Sequence, residues 1–159
     1  MSKDVPMKKL YLLTLLLPLT LIFTACGKNT EEIITFQNKL NTVVLKMENL
    51  DSQLNSLDIT AADAEQTALN ALSALNSAFE ELAAINVTDE NHMYIETLAD
   101  EGADYMSHAY ELFQKAYGQE AFDEANADLA YQYLERATKR VRVIVTMLHG
   151  EIPEGVIIH

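Results

Sequence analysis

Residues 31–58 read EEIITFQNKLNTVVLKMENLDSQLNSLD, and this stretch has the most regular pattern in the chain. Apolar side chains recur there at alternating intervals of three and four residues, at Ile33, Phe36, Leu40, Val43, Met47, Leu50, Leu54 and Leu57. This spacing predicts an amphipathic helix of about seven turns. Ile34, Val44 and Leu45 widen the apolar stripe, which favours packing against two neighbouring helices.

Three further segments repeat the helical period. Their expected core positions are Ala64, Ala68, Leu72, Leu75, Phe79 and Leu82 in the second, Ile95, Leu98, Gly102, Tyr105, Ala109, Leu112 and Ala116 in the third, and Leu129 or Ala130, Tyr133 or Leu134, Ala137, Val141, Ile144 and Leu148 in the fourth. The second segment is rich in alanine, the strongest helix former, so we predict an ordered helix there.

Capping residues mark the expected ends of these helices. The expected N-terminal caps are Thr60 with Asp63 nearby and Thr88, and the fourth helix is expected to begin around residues 121–123. The expected C-terminal ends are Gly118, in a left-handed conformation, and Gly150. Short connections between long helices force neighbours to run in opposite directions, so the sequence predicts an all-α fold, an antiparallel up-down-up-down four-helix bundle over residues 31–150. A three-helix bundle with an amphipathic arm is the main alternative, and two of the helices could also pair between molecules. Residues 151–159 are expected to form a tail.

The N-terminus has the features of a secretory signal. Lys8 and Lys9 precede an uncharged apolar run over residues 10–25, which ends in the small residue Ala25. The run is shorter than the roughly 20 residues of a membrane-spanning helix, and Pro18 interrupts it.

The segment Ile22-Phe23-Thr24-Ala25-Cys26-Gly27 resembles the lipobox of bacterial lipoproteins, although Phe23 stands where leucine is usual. The resemblance implies that residues 1–25 are a lipoprotein signal peptide and that Cys26 is lipidated, for example with palmitate. Residues 26–30 would then be a lipidated linker, and the mature chain would be anchored on the extracytoplasmic side of the cell membrane. An uncleaved N-terminal anchor is the alternative. The mature part resembles small helical lipoproteins of Gram-positive bacteria, which implies no particular activity.

Charge and composition restrict the partners of the chain. The net charge is −13, and the first 25 residues hold three lysines against one aspartate, so the remainder is near −15. Nucleic acid and anionic lipid headgroups repel such a chain, which leaves the lipid on Cys26 as its expected contact with the membrane. Cys26 is the single cysteine, which excludes disulfides and thiolate metal sites elsewhere. The sequence contains no catalytic or phosphate-binding motif, so we expect no enzyme activity and no cofactor.

Aromatic residues concentrate in the second half of the chain, and six residues form the expected ligand groove between the third and fourth helices. These are Tyr105, Tyr110, Phe113, Tyr131, Tyr133 and Arg140. Tyrosine offers both a ring face and a hydroxyl, which suits an apolar or sugar-like ligand. The alternative is that these rings belong to the core and its rim.

Two groups of charged residues are candidate binding sites, one for an acidic ligand and one for a metal ion. Arg136, Lys139, Arg140 and Arg142 form the main cationic cluster, either for an acidic ligand or for pairing with neighbours such as Glu135. The third helix presents the acidic face Glu96, Asp100, Asp104, His108 and Glu111. Di-iron bundles use paired Glu-x-x-His motifs, and this chain has none, so we expect a solvated acidic face and no metal site.

The sequence therefore predicts a lipid-anchored, non-catalytic bundle that acts as an interaction or envelope scaffold module, with an unknown protein or envelope partner. The alternative is a carrier of a small ligand or metal that uses the aromatic-rich third and fourth helices.

Overall fold

The computed structural model describes residues 30–56, 58, 61, 63–90, 92–118 and 122–149. It contains four helices: α1 (Glu31–Ser56), α2 (Ala64–Ala83), α3 (Met93–Tyr117) and α4 (Glu124–Leu148). The described ranges contain no strand, and the predicted all-α four-helix bundle is confirmed. The signal segment, Cys26, the linker up to residue 29 and the tail 151–159 lie outside the described residues.

Helix α1 contributes the apolar stripe that its sequence predicts. Ile33, Phe36, Leu40, Val43, Met47 and Leu50 are all buried. The stripe widens on one side only, because Val44 joins the core whereas Ile34 and Leu45 are 50% and 59% exposed. None of the four described helices is both long and apolar enough to cross a membrane.

Helices α2 and α4 bury the faces expected of them. All six predicted core residues of α2 are buried, and in α4 Ala130 and Leu134 take the core positions that Leu129 and Tyr133 could have taken. In α3, Gly102, Ala109 and Ala116 are buried together with Ile95. Three further predicted positions of α3, Leu98, Tyr105 and Leu112, are only partly buried, and Ala99, Met106 and Phe113 are buried as well. The core face of α3 is wide because this helix packs against both α2 and α4.

The ends of α3 differ from the prediction. Thr88 does not cap α3, which begins at Met93 after His92. The backbone N–H and the hydroxyl of Thr88 instead donate to the Glu32 carboxylate of α1, at 3.0 and 2.8 Å. Thr88 thus donates to a carboxylate distant in sequence and does not act as the acceptor that an N-terminal cap provides.

Two other capping predictions have different outcomes. Gly118 ends α3 with φ −76° rather than in the left-handed region, and its N–H bonds the Gln114 carbonyl. Helix α4 begins at Glu124, directly after the expected start around residues 121–123, and Asp123 caps it, since its side chain accepts from the Asn126 N–H at 3.0 Å. Asp63 precedes α2 without a side-chain capping bond, and Thr60 and Gly150 lie outside the described residues.

Consecutive helices pack on each other, and α3 with α4 forms the most extensive pair. The direction of this pair follows from its contacts. Glu101, His108 and Tyr117 succeed one another along α3, whereas their partners are Arg140, then Tyr133, then Phe122 before α4 begins. Because the partners run backwards in sequence, α3 and α4 are antiparallel. The up-down-up-down order of the whole bundle stays a prediction.

The seam of α1 provides a stability test. Leu50 is 1% exposed and its neighbour Asn49 is exposed. Leu50→Asp would bury an unpaired carboxylate and should lower the free energy of unfolding by about 3–5 kcal/mol. Asn49→Asp introduces the same side chain into solvent and should change it by less than about 0.5 kcal/mol. Urea unfolding followed by circular dichroism measures both, and equal midpoints would show that Leu50 does not lie in the core.

Candidate functional site

Small residues allow α3 and α4 to approach each other closely. The buried faces of the two helices carry Ala99, Gly102, Ala103, Ala109 and Ala116 on α3, and Ala127, Ala130 and Ala137 on α4. A Cβ atom added at Gly102 would lie 3.2 Å from the Phe79 ring of α2 and 3.5 Å from Cβ of Arg140. Gly102 is thus a point of close approach, and polar and aromatic side chains of α3 and α4 outside the buried faces contact one another nearby.

Five of these side chains form a group that we call the Arg136 patch: Tyr105 and His108 on α3, and Tyr133, Arg136 and Arg140 on α4. The Arg136 guanidinium carbon lies 6.0 Å from the Tyr105 ring centroid and 5.2 Å from that of Tyr133. Arg140 approaches Tyr105 at 5.5 Å, and His108 stacks on Tyr133 with centroids 5.3 Å apart. Each cation–ring contact is worth about 0.5–1 kcal/mol at an exposed site, so the rings restrain the guanidinium groups.

His108 is held at two points. Its Nδ1 lies 2.8 Å from the backbone carbonyl of Asp104, and a carbonyl can only accept, so Nδ1 carries the hydrogen. His108 is exposed, and its ring therefore forms part of the surface of the patch.

The cations of α4 differ in their partners. Lys139 forms a salt bridge with Glu135 at 3.1 Å, as the sequence predicts, and Arg140 donates from Nε to Glu101. Arg142 also has an interaction partner. Among the described residues, the contacts of Arg136 are the two tyrosine rings, although the chain has 24 acidic residues and only 11 lysines and arginines. Arg136 is therefore a cation held by aromatic faces rather than by a carboxylate.

The six residues of the predicted groove do not form one group: three belong to the Arg136 patch, two contact each other elsewhere, and one has neither contact. Tyr105, Tyr133 and Arg140 belong to the Arg136 patch. Phe113 and Tyr131 meet edge to face with centroids 5.0 Å apart. Tyr110 is half-buried against the hydrophobic core.

A second aromatic contact, between Tyr117 and Phe122 at 5.3 Å, lies at the turn between α3 and α4. Burial raises the pKa of the Tyr131 phenol above its ordinary value, and the neighbouring Tyr117 and Asp128 raise it further. Burial and, to a smaller extent, Glu65 also raise the pKa of Tyr117. Both phenols are thus partly buried against the core, where they offer little surface for ligand contact.

Arg136 was predicted as part of the cationic cluster and His108 as part of the acidic face of α3. Neither residue was predicted to line the groove. Their spacing could have indicated the patch, because Arg136 lies three residues after Tyr133 and His108 three residues after Tyr105, on the same helix faces. The contacts across the two helices could not have been found this way.

The acidic face of α3 does not gather metal ligands. Partial burial raises the pKa of Asp100, and the charges of Glu96 and Asp104 raise it further, which indicates repulsion between neighbouring carboxylates. Glu96 accepts a hydrogen bond from the Val87 N–H at 3.3 Å. In the part of the chain that the structure describes, no three His, Cys, Asp or Glu side chains are close enough together to hold a metal ion.

A cleft of about 590 Å³ lies at the start of α1, away from the Arg136 patch. Its lining consists of Thr30, Glu31, Glu32, Thr35, Ile85, Thr88 and Asp89. The Glu32 carboxylate is already bonded to Thr88. The acidic lining therefore does not by itself identify a ligand.

No protein-family model matches this sequence, and no curated protein or solved structure is significantly similar to it. The function is therefore inferred from the residues of this chain alone.

The buried phenols give a pH test. The folded pKa of Tyr131 is higher than the value of about 10 expected in the unfolded chain. Its contribution to stability is thus complete below pH 10 and is lost as the pH rises from there towards the folded pKa. Tyr131→Phe removes this contribution, and the loss of unfolding free energy at high pH should become shallower by up to about 1.4 kcal/mol per pH unit.

Urea unfolding at about pH 8.0, below the unfolded pKa, and at about pH 10.5, above it, measures this difference. Tyr94→Phe is the matched control, since it removes a phenol that is 43% exposed at the start of α3. An equal pH dependence in both variants and the unmodified protein would contradict the burial of Tyr131.

Proposed function

We propose that this protein is a lipid-anchored, extracytoplasmic and non-catalytic interaction module, and that a partner docks on the Arg136 patch. The observation that carries the docking proposal is the contact of exposed His108 and Arg136 with the partly buried rings of Tyr105 and Tyr133 across two helices. Tyrosine and arginine are the residues most often found at the energetic centre of protein interfaces. Here they are held in place before binding, which lowers the entropy lost on association.

The anchor is proposed from the N-terminal residues. Cys26 precedes α1 by only four residues, 27–30, which extend to at most about 14 Å. A lipid on Cys26 would therefore keep the first turn of α1 close to the membrane. The Arg136 patch contains residues near the middle of α3 and α4, so a partner could reach it from outside the headgroup layer.

The carrier alternative has less support. The aromatic residues proposed for a groove do not form one group, and their rings contact one another and the arginines. A surface stack suits docking better than enclosure of a small ligand.

Lipid attachment is tested by metabolic labelling with an alkyne fatty acid. The unmodified protein should incorporate the label and Cys26→Ala should not, because Cys26 is the single thiol of the chain. Cys26→Ala should also accumulate as the uncleaved precursor. Equal labelling of the two proteins would contradict the anchor.

Docking is tested in intact bacteria with a photo-crosslinking phenylalanine derivative in place of Tyr105. The control carries the same derivative in place of Asn70, which is exposed on α2. Irradiation should give a discrete adduct from position 105 and none from position 70, as judged on immunoblots. The absence of an adduct at 105, or the same adduct from both positions, would refute docking at the Arg136 patch.

A further inference from the structure

Arg136 combines exposure with a fixed orientation. Its side chain is exposed, yet its guanidinium lies within 6.0 Å of two ring centroids. A free arginine side chain loses rotamer entropy on binding. The two rings have already removed part of that freedom, so the N–H groups of Arg136 are prepared for an acceptor.

Two nearby carboxylates are paired with other cations, since Glu101 accepts from Arg140 and Glu135 pairs with Lys139. Among the described residues, no carboxylate pairs with Arg136, so its exposed N–H groups are open to an acceptor from a partner. The guanidinium has parallel N–H donors that match the two oxygens of a carboxylate.

We propose that the Arg136 patch recognises a single carboxylate in a net-cationic peptide segment of a protein partner. This proposal rests on the proposed docking function and names the chemistry of its partner. The whole chain carries net charge −13, so a cationic segment is attracted at long range and a polyanion is repelled. At short range the carboxylate meets the Arg136 guanidinium, which contacts both the Tyr105 and the Tyr133 ring.

Phosphate is a poorer match to this surface. Phosphate sites combine side chains with several free backbone N–H groups, as at a helix N-terminus. Tyr105 and Arg136 lie in the interior of α3 and α4, where backbone N–H groups are bonded within the helix. A planar carboxylate needs only the guanidinium fork.

Two fluorescent, acetylated and amidated peptides, KKSESKK and KKSQSKK, distinguish specific from general attraction. The glutamine peptide has the higher positive charge, so general attraction to the acidic chain favours it. A carboxylate contact with Arg136 favours the glutamate peptide instead. Fluorescence anisotropy with the full chain in neutral detergent measures both dissociation constants, and we expect the glutamate peptide to bind about threefold more tightly.

Arg136→Gln should reverse this preference, whereas Lys139→Gln should retain it while removing the same charge three residues away on α4. Arg136→Lys keeps the charge without the planar fork and should reduce the preference. Circular dichroism melts establish that each variant is folded. Tighter binding of the glutamine peptide by the unmodified protein, or a glutamate preference that survives Arg136→Gln, would overturn the proposal.

A competition experiment distinguishes a carboxylate ligand from a phosphate ligand. At equal ionic strength, acetate should displace the glutamate peptide at least as well as inorganic phosphate, and stronger displacement by phosphate would overturn the carboxylate assignment. The crosslinking test at position 105 is independent of these measurements. An adduct in cells without a glutamate preference would refute the ligand chemistry alone, and loss of both results would refute docking at the patch.

Discussion

The close approach of α3 and α4 determines most of what is distinctive in this structure. Gly102 leaves room for Phe79 of α2 and for Arg140 of α4 at a single point, and small residues occupy the buried faces of α3 and α4. Along the edge of these buried faces, the partly buried rings of Tyr105 and Tyr133 meet the exposed Arg136 across the two helices. The Arg136 patch thus depends on the packing of α3 against α4.

The charge balance explains why one arginine is in an unusual position. In a strongly acidic chain, each cation has many carboxylates available, and Lys39, Lys139 and Arg140 all form ion pairs. Arg136 contacts ring faces instead. Arg136 and Arg140 differ although they lie one helical turn apart on the same face of α4. Arg140 contacts both the Glu101 carboxylate and the Tyr105 ring.

Periodicity was sufficient to predict the four helices and most of the core, because burial of an apolar stripe requires regular spacing. It could not predict that Thr88 would bond Glu32, a residue 56 positions earlier, since the capping rule considers only neighbours in sequence. The groove prediction combined residues from two helix faces: Tyr105 and Tyr110 are five residues apart, which separates them by roughly 140° around a helix. The stacking of Arg136 on Tyr105 required the register of α3 against α4, which no single segment contains.

The separation of core from edge also affects how this protein can evolve. At position 102, even one methyl group would press on the Phe79 ring, so that site tolerates little variation. Tyr105, Tyr133 and Arg136 are only partly buried or exposed, and their replacement leaves the small buried residues in place. A lineage can therefore acquire new binding preferences through the edge residues while inheriting the same interior, and drift in recognition would proceed faster than drift in architecture.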